Sequence, residues 1–294
     1  MPLWDDISEH ISAATGSPFI CTDRHASSGG CINDSYVLRG GQQSYFIKLN
    51  DAHLLPMFEA EAAGLSEIHA SQTVRAPQVI CHGNSSGQAY LVLEHLNLGR
   101  GNSNSHQQLG HDLAQMHRYT NDYFGWQRDN TIGSTPQPNQ QSGNWIAFWR
   151  DQRLSFQLRL AAQNGYGGRL QSLGEQLLHH LDEFFTHYQP VPSLLHGDLW
   201  SGNYAICDNS TPVIFDPATY YGDREADLAM TELFGGFTDD FYAAYNDNYP
   251  LDKGYHQRKT LYNLYHILNH LNLFGGGYLD QAECMLAKLV SEVR

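Results

Sequence analysis

The chain has 294 residues, with 31 acidic against 17 basic side chains and a formal net charge of −14. A field of that sign repels a phosphodiester backbone and argues against a generic nucleic-acid partner. Hydrophobic residues make up 41% of the chain at a mean hydropathy of −0.45, the balance of a water-soluble globular protein, and no apolar run approaches the ~20 residues of a membrane span.

The start, MPLWDDISEH, has no basic stretch ahead of an apolar one, so neither a signal peptide nor a membrane anchor is expected. The first ~95 residues read as strands plus one helix. SYVLR and SYFIKLN are β-rich runs joined by the hairpin signal GGQQ, and PQVICHG and QAYLVLEHL form a second pair around NSSG. Between the pairs, PMFEAEAAGLSEIHA has helical periodicity, with Phe58, Glu61, Leu65 and Ile68 on one face. After EHLNLGRGNSNS the character changes. HQQLGHDLAQMHRY is helical, and NTIGSTPQPNQQSGN reads as a polar loop with two prolines. WIAFWRDQRLSFQLRLA and LQSLGEQLLHHLDEFFTHY read as long helices, and the stretch from Phe237 onward is mostly helical. The expected fold is α+β and bilobal. A small β-rich nucleotide-binding lobe spans 1–96, and a larger helical lobe for catalysis and substrate spans 97–294, joined near Glu94–Leu98.

The segment SLLHGDLWSGNYA, residues 193–205, is dense in chemistry: it places Asp198 and Asn203 five positions apart. Downstream, NYAIC and PVIF flank the turn DNST, a hairpin pattern that returns Asp216 beside Asn203 and Asp198. Two carboxylates and an amide oxygen converging in this way suit Mg²⁺, a hard cation. Asp-x4-Asn followed by a strand-borne Asp is also the arrangement of a kinase catalytic loop, with Asp198 as base and Asn203 and Asp216 as metal ligands. The N-terminal lobe offers matching phosphate-binding parts. Gly29, Gly30 and Cys31 lie in a glycine-rich stretch before a strand, which is either a nucleotide-covering loop or an ordinary turn. Lys48 in YFIKLN stands where a strand lysine would reach the α- and β-phosphates of ATP. Its carboxylate partner is read as Glu61, because Glu59 points roughly the opposite way at ~100° per residue. The backbone at Glu94, His95 and Leu96 follows the strand YLVLEHL and is expected to bind adenine.

The five cysteines are scattered without a CxxC pair, so neither a disulfide framework nor a zinc site is suggested, and a reducing cytoplasm is the expected compartment. His266 and His270 stand at i, i+4 on a helix, but no nearby acidic residue completes a metal site. They are read as structural or substrate-facing.

With these motifs together, the chain resembles the fructosamine (ketosamine) kinases, relatives of the aminoglycoside phosphotransferases within the protein-kinase-like fold. The residues carrying the resemblance run through nearly the whole chain. They include FIKLN, MFEAEAAGL, LLHGDLWSGN, FDPATYYGDREADLAM and LYNLYHILNHLNLFG. The resemblance implies ATP and Mg²⁺ as cofactors and phosphorylation of the 3-hydroxyl of a ketosamine, small-molecule or protein-bound, leading to deglycation of amines or proteins. Asp-Pro-Ala replaces the Asp-Phe-Gly of protein kinases, Gly197 replaces the Arg of His-Arg-Asp, and Ser28 stands where family loops often carry one more glycine. Without that Arg a phosphorylated activation loop has nothing to dock on, which favours small-molecule logic.

Trp200, beside the proposed base, is either an aromatic platform for the sugar or a core residue. Asn269 and His270 are either acceptor-pocket residues or helix-packing residues. Cys31 is either a plain loop residue or a redox-responsive thiol. Two competing readings stand beside the ketosamine kinase. One is a kinase for another small hydroxylated or cationic substrate, such as an aminoglycoside or choline; the other is a nucleotide-binding pseudokinase. A monomer or weak dimer is expected.

Overall fold

The computed structural model describes residues 3–27 and 32–293. Helix α1 (Leu3–Thr15) opens the fold and was not expected. Its only buried residues are Ile7 and Ile11, an i, i+4 pair too brief to register as periodicity. Strand β1 (Asp23–Ala26) is exposed throughout.

The GGQQ signal closes as a two-residue turn between β2 (Asp34–Gly40) and β3 (Gln43–Asp51), which pair from Gly40↔Gln43 to Asp34↔Leu49. Helix α2 (Leu55–Ser71) follows, then β4 (Val79–Ser85) and β5 (Gln88–Glu94). The β4–β5 turn carries Ser86 and Gly87 with φ of 50° and 82°, the paired left-handed residues of a type I′ hairpin. The antiparallel sheet runs β1-β2-β3-β5-β4. Strand β5 shows why both its faces are covered. Tyr90 and Val92 join a core with Ile7, Ile11 and Ile47 under α1, whereas Ala89, Leu91 and Leu93 join the core of α2 and the second lobe.

Beyond β5, the helical region begins with α3 (Ser103–Met116), capped by Asn102, whose side chain accepts from Ser105 N. Residues 130–144, expected as a polar loop, contain a small hairpin of β6 (Asn130–Ile132) and β7 (Thr135–Gln137). Its amides are buried because each has a partner: Asn130 Nδ2 donates to Thr219 O, and Gln137 Nε2 donates to Ala218 O and Asn130 Oδ1. The first expected long helix is α4 (Trp145–Phe148), a π-helical segment (Trp149–Leu154) and α5 (Ser155–Gln163). The second is shorter than expected: α6 (Arg169–His179) gives way to a 3₁₀ turn at Leu181–Phe185.

Strand β8 (Ser193–Leu195) pairs with β11 (Tyr220–Gly222). Between them lies the hairpin β9 (Tyr204–Ile206) and β10 (Pro212–Ile214), registered Tyr204↔Ile214 to Ile206↔Pro212. Helices α7 (Glu225–Leu233), α8 (Asp239–Asn248), α9 (Tyr255–Phe274) and α10 (Leu279–Glu292) complete the chain. Helix α9 is buried along most of its length, from Leu261 to Leu271, and forms the spine of this half.

Two glycines fix how helices sit. A Cβ on Gly64 of α2 would lie 2.8 Å from Thr219 Oγ1, and one on Gly110 of α3 would lie 2.2 Å from the Phe241 carbonyl oxygen of α8. Alanine in a helix interior normally gains about 1 kcal/mol over glycine. At Gly110 the clash is with backbone, and overpacking of that kind costs about 1–3 kcal/mol. Gly110→Ala is therefore expected to lower the urea midpoint at unchanged m value; a midpoint at or above that of the unsubstituted protein would show that α3 and α8 can separate without loss.

Candidate active site

Strand β8 feeds His196, Gly197 and Asp198 into the centre of the molecule. Gly197 has φ +83°, and a Cβ there would sit 2.1 Å from Ala218 O. Only glycine fits this turn, which is the physical reason for Gly where protein kinases carry Arg. The loop is held by Asp227 of α7, which accepts from His196 N at 2.7 Å, Gly197 N at 2.8 Å and His117 Nε2 at 3.2 Å. Burial pushes the Asp227 carboxyl up, but the His117 hydrogen bond and the surrounding imidazoles and N–H groups outweigh it and hold it below its ordinary value. His117, kept neutral by burial, accepts from the Tyr245 hydroxyl at Nδ1, 2.7 Å away. His196 is buried and neutral too. Its Nε2 donates to Phe215 O at 2.9 Å, so Nδ1 accepts from Asp198 N at 3.2 Å.

Asn203 lies at the start of the β9–β10 hairpin and Asp216 just past its end, and Phe215 N donates to Asn203 O at 3.0 Å. Asn203 Nδ2 donates to Asp198 O at 2.8 Å and Asp198 Oδ2 at 3.3 Å, which leaves Oδ1 for another partner. Asp216 is left-handed, φ +58°, a conformation that costs energy in a non-glycine residue and clusters at functional sites. Its Oδ1 accepts from Lys48 Nζ at 2.6 Å, and the same ammonium donates to Glu61 Oε1 at 2.6 Å. Burial disfavours the Lys48 charge, but Asp216 and Glu61 overcome it and hold the lysine firmly protonated. Burial pushes Glu61 up and Lys48 pulls it back. Glu59 faces elsewhere, at 3.4 Å from Arg128 Nη2. Burial, with the charges of Asp216 and Asp227, pushes Asp198 up to about 7.

These groups open on a cavity of about 350 Å³. Lys48, Glu61, Asp198, Asn203 and Asp216 form one end, and Trp200, Asn269 and His270 belong to its wall. Trp200 is 39% exposed and meets Phe234 edge-on at 6.4 Å, so it is no core residue. Asn269 is buried and bonded to Gln157 at 3.2 Å; His270 Nδ1 donates to His266 O at 2.8 Å. Glu94, His95 and Leu96 are not among the cavity's lining residues. Glu94 pairs with Arg75 at 2.7 Å, and its N–H donates to Gln78 O; His95 Nδ1 is 3.0 Å from Ser44 Oγ. Gly29, Gly30 and Cys31 lie outside the described residues.

The donor set suits a hard cation. Asn203 Oδ1 and the second Asp216 oxygen could both serve it as oxygen donors. Among the described residues no group of three His, Cys, Asp or Glu side chains could hold a metal alone, so ligand oxygens and water must complete such a shell. Sequence reading missed Asp227, the buried hairpin amides and Arg153. Asp227 left only a faint trace as the second of two acids in EADLAM. Arg153 left none: the π-helical segment turns it fully inward, where Nη1 donates to Pro138 O at 2.5 Å and Nη2 to Asn139 Oδ1 at 2.7 Å.

Residues 3–292 match the family model for fructosamine kinase. A Synechocystis protein named a probable ketoamine kinase is 52% identical over 96% of this chain and 95% of its own. A chloroplastic protein-ribulosamine 3-kinase of Arabidopsis thaliana is 42% identical over 86% of this chain and 78% of its own. A crystal structure from Haemophilus somnus, named a candidate fructosamine-3-kinase, superposes with a TM-score of 0.89 at 29% identity, covering 97% of both chains. An aminoglycoside phosphotransferase in complex with ADP and hygromycin B shares the fold, at a TM-score of 0.63 and 16% identity over 97% of this chain and 98% of that one.

The depressed Asp227 carboxyl stabilises the fold above the ordinary aspartate range, and that contribution disappears as pH falls through its lower folded value. Asp227→Asn should be less stable at neutral pH by about 1–3 kcal/mol, the cost of leaving a buried donor unpaired. Its stability should also fall less steeply below pH about 4 than that of the wild type. Urea midpoints across that range check both, and parallel acid limbs would remove Asp227 as the titrating group.

Proposed function

This chain belongs to the fructosamine kinase family, and we propose that it is an ATP-dependent kinase transferring phosphate to the 3-hydroxyl of ketosamines. The carrying observation is that Asp198, Asn203, Asp216 and the Lys48–Glu61 pair face one cavity. Asp198 is the base: it orients the acceptor hydroxyl and takes its proton as the oxygen bonds to the γ-phosphorus and the bond to ADP breaks. Lys48, fixed by Glu61, anchors the α- and β-phosphates, and the Gly29–Cys31 loop and the Glu94–Leu96 backbone complete the nucleotide site. Asn203 and Asp216 would hold Mg²⁺, which when bound neutralises phosphate charge. Trp200, Asn269 and His270 face the sugar.

A phosphate on C3 sits beside the C2 carbonyl and β to the amine-bearing carbon, so the product eliminates phosphate and releases the amine. That supports a role in deglycating free or protein-bound amines. The described cysteines, Cys21, Cys81, Cys207 and Cys284, are all free, which supports a cytoplasmic place for the enzyme; among the described residues no helix is long and apolar enough to cross a membrane.

ADP release measured with ribulosamine, fructosamine, kanamycin and choline tests the substrate class; turnover confined to kanamycin or choline would reject it. Asp198→Asn should fold and bind ATP yet lose about 10²–10⁴-fold in kcat. Turnover within about threefold of wild type would exclude Asp198 as the base. The Mg²⁺ requirement should steepen more in Asp216→Ala than in Asn203→Ala, because a carboxylate carries charge that an amide lacks. Titrating Mg²⁺ at fixed ATP separates the two, and a wild-type curve for Asp216→Ala would refute its role.

A further inference from the structure

We propose that His266 reads an acceptor hydroxyl other than the one that reacts, and thereby sets which polyhydroxylated substrates the cavity takes. The proposal rests on the ketosamine kinase reading above. Helix α9 turns His266, Asn269 and His270 to the cavity at i, i+3 and i+4, one face of the helix. Their hydrogen bonding differs. Asn269 Oδ1 accepts from Gln157, and its Nδ2 is 3.4 Å from Ile132 O. His270 donates from Nδ1 to a backbone carbonyl. Asn130, on the facing hairpin, has both ends of its amide bonded. His266 is only 4% exposed, yet among the described residues neither ring nitrogen has a hydrogen-bond partner, and the ring borders the cavity. Buried polar side chains are nearly always bonded, so an unpaired imidazole on a cavity wall marks the place of a ligand group.

The chemistry of that group follows from the charge of the ring. Burial, then His270, drives the His266 pKa down to about 3, so the ring is neutral. A neutral imidazole offers one N–H and one lone pair. A hydroxyl both donates and accepts and can use either. An ammonium only donates and leaves the N–H without a partner. The site therefore favours a hydroxyl-rich sugar adduct over an amine-rich acceptor. Selectivity of this kind is strong because removing the hydroxyl strands a buried polar group.

The test uses a ketosamine of one amine in which each non-reacting hydroxyl is replaced by hydrogen in turn. Wild-type kcat/KM should fall about 10–100-fold for one analogue. His266→Leu should show that loss already with the parent compound and no further loss with the analogue, and His266→Asn, which keeps a donor and an acceptor, should recover part of it. Wild-type rates within about twofold across every analogue would overturn the inference even if His266→Leu fails to fold. So would His266→Leu that discriminates as wild type does. A wild type that phosphorylates no ketosamine at all would overturn the substrate reading itself and this inference with it.

Discussion

Asp227 accepts three hydrogen bonds with two oxygens, and the geometry of the cavity follows from them. Two come from consecutive backbone N–H groups of the loop that carries Asp198, and the third from His117 at the end of α3. Those amides are buried, so without the carboxylate they would be stranded. The chain of bonds continues outward, from His117 to the Tyr245 hydroxyl and on to Arg224, and so ties α3, α7 and α8 to one point. The loop can then turn through Gly197 tightly against Ala218 and deliver Asp198 to the cavity. A residue outside the cavity lining thus determines where the Asp198 carboxyl lies within it.

The charge balance explains why such a site calls for a cation. Lys48 is the one ammonium among the described cavity-lining residues, and it already serves two carboxylates, Glu61 and Asp216. Asp198 adds a third acid nearby, its pKa raised first by burial and then by the charges of Asp216 and Asp227. A bare nucleotide would bring more negative charge into an acidic pocket. A divalent ion held on the oxygens of Asn203 and Asp216 would reverse the local sign.

Much of this was legible because it rests on local rules. Turn chemistry located both N-terminal hairpins and the one that returns Asp216 to Asn203. Helical periodicity separated Glu61 from Glu59, and the structure shows them on different partners, Lys48 and Arg128. What stayed hidden depends on tertiary partners. The hairpin amides Asn130 and Gln137 look like solvent-facing loop residues until the carbonyls of Thr219 and Ala218 appear opposite them. Arg153 reads as a surface charge until a π-helical segment rotates it inward. Asp227 resembles any helical acid, since nothing in EADLAM tells which way it faces.

Helix α2, which holds Lys48 through Glu61, also meets the second lobe directly. Glu59 holds Arg128, Gly64 lets the helix backbone rest on Thr219, and Glu67 accepts from the Tyr221 hydroxyl at 2.6 Å. These anchors span about 12 Å of helix at 1.5 Å per residue. A rod pinned at three points along that length cannot swing outward to part Lys48 from Glu61 without breaking all of them together. The Lys48–Glu61 pair is therefore set by how α2 is seated on the second lobe, and loosening any one of those anchors loosens the helix that carries Glu61.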